Sequence, residues 1–159
     1  MIEQLRKLIS YDPETGKFTR LATLVSHGNS GEGGINTIGY RVISVGGKRY
    51  YAHRLAWALH HGEWPKGRID HANGDRDDNR IANIRVASAA QNVQNRKVRA
   101  DNKSGYKGVS PNRYGWMANI KVDKKNIYLG TYKTPVEAAE VYRAASVKFH
   151  GEFSPFVTG

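Results

Sequence analysis

No cysteine occurs among the 159 residues, which excludes disulfide staples, thiolate zinc sites and cysteine nucleophiles together. Acidic side chains are sparse as well. Fourteen Asp and Glu stand against 25 Lys and Arg, a formal net charge of +11, so the expected partner is a polyanion, with nucleic acid ahead of an acidic membrane surface. Long apolar runs are missing. The amino end reads Met1-Ile2-Glu3-Gln4-Leu5-Arg6-Lys7, which fits neither a signal peptide nor a transmembrane helix. A soluble, cytoplasmic protein with no membrane partner is expected, and the length allows one ordinary domain or two or three small modules.

The basic excess is spread along the chain. Residues 1–50 hold 7 basic and 4 acidic side chains, 51–99 hold 9 and 5, and 100–159 hold 9 and 5. A basic tail would have concentrated the charge, so the whole molecule is expected to lie along an extended anion. A merely solubilising surface would carry a similar balance, and specific residues must decide.

Ile2, Leu5, Leu8 and Ile9 recur at helical spacing, and Pro13 to Gly16 then turn the chain; a short helix followed by a strand at 17–20 is expected. The glycine-rich stretch 26–34 lacks the Gly-Lys-Ser/Thr ending of a phosphate loop and reads as a flexible loop. Segments 39–45 and 48–52 form a hairpin across Gly46-Gly47. A helix over 53–61 ends at Gly62. Short strands at 68–71 and 84–87 flank a polar loop, and Ser88 with Gln91 opens a helix to about Lys97. Residues 98–104 read as a linker. Beyond them come three strands at 106–110, 116–122 and 126–132, and Thr134-Pro135-Val136-Glu137 starts a helix to about His150. The class is α+β, a small modular protein.

Asp70, His71, Asn83 twelve positions on and Asn92 nine further are the residue types that phosphodiester hydrolysis can use. If the two short strands pair and the Ser88 helix packs across them, Asp70 and His71 face Asn92. Asp70 and Asn92 then offer hard oxygen ligands to Mg²⁺ (or Mn²⁺), a donor set unsuited to zinc. His71 can take a proton from an attacking water, since its ordinary pKa lies near neutrality. Asn83 holds the loop or orients the imidazole. Found singly, such residues build polar turns; here they occur together.

The runs Ile69-Asp70-His71-Ala72-Asn73-Gly74-Asp75, Asp78-Asn79-Arg80-Ile81-Ala82-Asn83-Ile84-Arg85 and Gln91-Asn92 resemble the HNH, or ββα-metal, endonucleases, in the variant that ends in asparagine. The resemblance covers residues 53–97 and implies a catalytic His71, a structural Asn83 and a metal held by Asp70 and Asn92. His53-Arg54-Leu55-Ala56-Trp57 shares it, with His53 either packing or lining the cleft. The cysteine pairs with which some members bind structural zinc are absent. Residues 1–52 resemble the leading segment of phage-type members, and their Arg41, Lys48 and Arg49 are candidates for phosphate contacts.

Tyr106-Lys107-Gly108-Val109, Tyr128-Leu129-Gly130-Thr131-Tyr132 and Glu137-Ala138-Ala139 with Tyr142 resemble the ethylene-response-factor type of DNA-binding domain. That family lays a three-stranded sheet in the major groove with a helix behind it. Alternation sends Trp116, Ala118, Ile120 and Val122 to one face and Asn119, Lys121, Asn126 and Tyr128 to the other. With Lys107, Arg113 and Tyr114, these are the candidate DNA-binding residues. Seven basic residues against the single acid Asp123 lie between 103 and 133. Ser110, Asn112 and Asn126 stand where plant members carry arginine, and a plain solvated sheet face is the competing reading.

Together these features imply four segments: residues 1–52, an HNH module at 53–97, a linker at 98–104 and a DNA-binding domain at 105–159. The implied function is a homing-type, metal-dependent DNA endonuclease, a monomer that nicks one strand of duplex DNA, in a bacterial host cell if phage encoded. The alternative is a non-catalytic DNA-binding regulator that retains a degenerate nuclease fold.

Overall fold

The fold is described from a computed structural model, over residues 1–21, 32–96, 98 and 100–157. Most of the glycine-rich stretch, residue 97 at the expected end of the Ser88 helix and residue 99 in the expected linker lie outside these. Among the described residues no helix is long and apolar enough to cross a membrane. The chain divides into two units, Met1–Ala89 and Ala90–Gly159. Each mixes helices with antiparallel strands, so the α+β class holds.

In the first unit a short helix α1 (Ile2–Arg6) leads into a ribbon of β1 (Ile9–Tyr11) and β2 (Phe18–Arg20). Ile9 is therefore a strand residue, although its spacing fitted the helix. Leu8 N donates to Leu5 O at 2.9 Å, closing the helix early, and Ile9 pairs with Arg20. Strands β3 (Gly34–Ile35), β4 (Arg41–Val45) and β5 (Lys48–Tyr51) form a sheet. Gly46 and Gly47, at φ of 58° and 74°, make the β4–β5 turn, as a two-residue hairpin requires.

Helix α2 (Ala52–His61) follows and stops at the left-handed Gly62. Its buried face, Ala52, Leu55, Ala56 and Leu59, packs with Leu5, Ile9, Phe18, Ile43, Val45, Ile69 and Ile84 in one core. Burying a leucine such as Leu55 contributes about 1.5–3 kcal/mol. That core joins residues of the leading segment to those of the HNH segment. Strands β6 (Arg68–His71) and β7 (Ile84–Ala87) pair antiparallel, Asp70 opposite Arg85 and His71 opposite Ile84. Helix α3 (Ala89–Gln94) spans the boundary between the units.

The second unit holds a sheet of β8 (Val109–Asn112), β9 (Gly115–Val122) and β10 (Lys125–Tyr132), with α4 (Pro135–His150) packed on it. The Thr134–Glu137 capping box and Pro135 start α4 as the sequence requires. Strand β8 begins three residues later than its apolar pattern suggested. Ser104 and Asn102 gather the preceding loop by hydrogen bonds, and Gly108 sits at φ 71°, which ends any extended run before Val109.

Candidate active site

Asp70 and His71 close strand β6, both buried, at 5% and 4% exposure. Asp70 Oδ2 accepts from Arg85 Nε at 3.0 Å and Nη2 at 2.8 Å, a fork created by the strand register that sets the two residues opposite each other. The ring of His71 meets His53 edge-on, with centroids 5.2 Å apart, and the ring of Tyr40 at 5.9 Å. Burial pulls the His71 pKa below its ordinary value. A hydrogen bond from Asn79 and the charges of Asp70, Asp75 and Asp78 oppose that shift. A neutral imidazole at pH 7 is the form that accepts a proton.

The loop between β6 and β7 is pinned from inside by Asn83, which ends the 3-10 turn Ile81–Asn83. Its Oδ1 accepts from Asn73 N at 3.0 Å, its Nδ2 donates to Asp78 O at 2.8 Å, and its carbonyl accepts from Ala72 N at 2.8 Å. Of the two roles expected for Asn83, holding the loop is the one these bonds perform.

The loop is also held by the leading segment, which the sequence did not reveal. Tyr11 Oη donates to Asn79 O at 2.8 Å and Ile81 N to Pro13 O at 3.0 Å. Gly16, at φ +72°, lies so close that an added Cβ would stand 2.6 Å from Arg80 N. Arg41 grips both oxygens of Asp77, at 2.6 and 2.7 Å, and so is committed to the loop rather than presented to phosphate. Arg76 lies over the Tyr40 ring, 4.9 Å from its centroid. These partners are too far apart in sequence for any local pattern to show.

His53 lies against the ring of His71. It is buried and sits among the rings of Tyr40, Tyr51 and His71 at 5.0, 5.5 and 5.2 Å. Burial first, then the neighbouring His71 and Arg54, pull its pKa down to about 3.

Asn92 stands half-buried on α3 in the second unit. A carboxylate such as that of Asp70 and an amide oxygen such as that of Asn92 are each donors of the class that Mg²⁺ and Mn²⁺ prefer. Among the described residues no group of three or more His, Cys, Asp or Glu is placed to hold a metal.

In the second unit, Lys121 pairs with Asn126 and Asn119 with Tyr128 across β9 and β10, which brings these four candidates to one face. Tyr128 is 61% exposed, and its Oη lies 2.9 Å from Thr131 Oγ1. Arg113 and Tyr114 occupy the exposed β8–β9 turn, the guanidinium 5.7 Å from the ring centroid. Lys107 is placed differently. Its Nζ donates to the carbonyls of Gln94 and Arg96, and burial, with Arg96 nearby, pushes its pKa down to about 8.

The segment that carries Asp70, His71 and Asn83 is also the one that comparison with known proteins singles out. The family profile of HNH endonucleases matches residues 50–94, from the end of β5 through α3. The chain belongs to the HNH endonuclease family. It is 30% identical over 107 residues to Protein 3.8 of Escherichia phage T7, an alignment covering 65% of this chain and 88% of that protein. No solved structure matches it.

Proposed function

We propose that the protein is a divalent-metal-dependent endonuclease of the homing type that nicks one strand of duplex DNA. The observation that carries this reading is His71, buried and drawn toward its neutral form beside Asp70 on a loop pinned by Asn83. His71 accepts the proton of the attacking water. Asn83 fixes the loop that shapes the cleft. A Mg²⁺ or Mn²⁺ ion bound by Asp70 and Asn92, the asparagine-ending ligand set, would neutralise charge on the scissile phosphate and the leaving 3′-oxygen.

The second unit supports the duplex part of the reading. It holds a three-stranded sheet with one packed helix, the elements that the resemblance to the ethylene-response-factor type implies, with Asn119, Lys121, Asn126 and Tyr128 on one face and Arg113 and Tyr114 in the turn between β8 and β9. Amide and basic groups on a sheet suit base edges and phosphates. Nicking follows from the single Asp70-His71-Asn83-Asn92 set in the chain: a monomer handles one scissile phosphate at a time.

The test is a time course on supercoiled plasmid with Mg²⁺, Mn²⁺ or chelator. Open-circle product appearing first, only with metal, is expected. Linear product without an open-circle intermediate, rising steeply with enzyme concentration, would replace the monomeric nickase with a dimer. No cleavage with any metal, on DNA shown to be bound, would leave a non-catalytic DNA-binding protein.

A further inference from the structure

Arg41, Arg76 and Arg80 meet at the loop between β6 and β7, and two of them are engaged by carboxylates. Arg41 holds Asp77 and Arg80 holds Asp78. The third, Arg76, is exposed and makes no ion pair among the described residues. Its partners are neutral: Nη1 donates to Ile38 O at 2.5 Å, and the guanidinium lies over the Tyr40 ring, 4.9 Å from the centroid. Both partners sit in one tight turn. Asn36 Oδ1 accepts from Ile38 N at 3.1 Å and from Tyr40 N at 2.9 Å, and Gly39 N donates to Asn36 O at 2.9 Å. The ring of Tyr40 is fixed in turn by the rings of His53, Tyr51 and His71, at 5.0, 5.7 and 5.9 Å.

We infer that Arg76 is a backbone-phosphate contact for the DNA strand cut at His71, and that Tyr40 is the residue that positions it. The inference rests on the nuclease reading above, with His71 as the base. Placement carries it. One ring, Tyr40, lies against both the imidazole and the guanidinium, so the 5.9 and 4.9 Å contacts bound how far apart those two groups are. Successive phosphates of a strand advance by only about 3.4 Å along the duplex axis, so a strand whose scissile phosphate meets His71 brings a neighbouring phosphate within reach of Arg76. Charge and preorganisation suit it to that contact. A guanidinium with no carboxylate partner keeps its positive charge for an incoming anion, and its planar fork matches phosphate oxygens. The ring and the Ile38 carbonyl already hold the side chain, so little rotamer freedom is lost on binding. Arg41 and Arg80 would first have to break an ion pair.

The test measures duplex affinity across a salt series in the full chain carrying His71→Ala, which holds DNA uncut. Adding Arg76→Gln is expected to lower the slope of log affinity against log salt by about one, and Arg76→Lys, which keeps the charge, to leave it. Tyr40→Leu, which removes the aromatic face, should weaken binding about two- to fivefold, and Tyr40→Phe should not. An unchanged slope in Arg76→Gln makes the residue a brace of the loop and overturns the proposal while the nuclease reading stands. Equal affinities in the two Tyr40 variants overturn the role of the ring. A second arm places the contact along the strand. With His71 intact, a methylphosphonate, which removes one backbone charge, is walked through the phosphates beside the mapped nick. One within about three positions of it is expected to slow the parent protein and to have no further effect in Arg76→Gln; equal slowing of both proteins at every such position overturns the proposal. If the parent protein nicks nothing with Mg²⁺ or Mn²⁺, the nuclease reading falls, and the inference with it.

Discussion

The rings of His53 and His71 meet edge-on, with centroids 5.2 Å apart at an interplanar angle of 85°. His53 Nδ1 is buried and has no hydrogen-bond partner among the described residues, so this helix residue lies against the proposed base as a neutral, packed ring. Protonating either ring in place would add a buried cation beside its neighbour.

The pair makes the fold acid-sensitive. Burial lowers both pKa values, that of His53 to about 3 from an ordinary 6.5. Below pH 6.5 the unfolded chain binds protons that the folded chain refuses. The stabilisation is complete above pH 6.5 and is lost as pH falls toward the folded value, at up to about 1.4 kcal/mol per pH unit for His53. Urea midpoints measured from pH 7.5 down to 4.5 should therefore fall less steeply in His53→Phe than in the parent protein. Parallel curves would show that His53 does not refuse the proton.

Gly16 braces the active-site loop from the leading segment. Gly16→Ala places a Cβ 2.6 Å from Arg80 N in a left-handed backbone conformation, a strain expected to exceed about 1 kcal/mol. Gly34 has open space around it, and Gly34→Ala should be near neutral. Thermal melts and plasmid nicking of the two variants check this. Gly16→Ala should lose stability and activity together. Unchanged nicking in a destabilised Gly16→Ala would mean that the loop does not depend on this brace.

The two lysines assigned to DNA by pattern should behave differently. Lys121 is exposed on the sheet face, whereas Lys107 donates to the carbonyls of Gln94 and Arg96. Lys121→Ala should reduce duplex affinity and lower the slope of log affinity against log salt by about one. Lys107→Ala should lower the melting temperature and leave that slope alone. Fluorescence anisotropy across a salt series distinguishes them, and a changed slope in Lys107→Ala would restore that residue as a phosphate contact.

What the sequence made legible was local or periodic. Gly46-Gly47 declared its hairpin, and Thr134-Pro135-Val136-Glu137 its helix start, because both are set by neighbouring backbone angles. Asp70 and His71 were readable from residue type, position at a strand end and a family resemblance. The Asp70–Arg85 fork depended on a strand register that no single segment contains. The Tyr11–Asn79 and Arg41–Asp77 bonds join residues 68 and 36 positions apart, and only the shared core brings them together. Ile9 is ambiguous in sequence, because one buried apolar residue fits a helix stripe and a short strand equally well; the pairing with Arg20 decides it.

The central claim, that His71 is the base of a metal-dependent nuclease, is tested most directly by single-turnover nicking and duplex affinity measured together for His71→Ala. A water-activating base contributes roughly 10²- to 10⁴-fold to rate and little to ground-state binding. The expected result is a loss of cleavage of that order at saturating DNA, with affinity and melting temperature close to those of the parent protein. Cleavage at the parent rate, or a loss fully accounted for by weaker DNA binding, would contradict the claim.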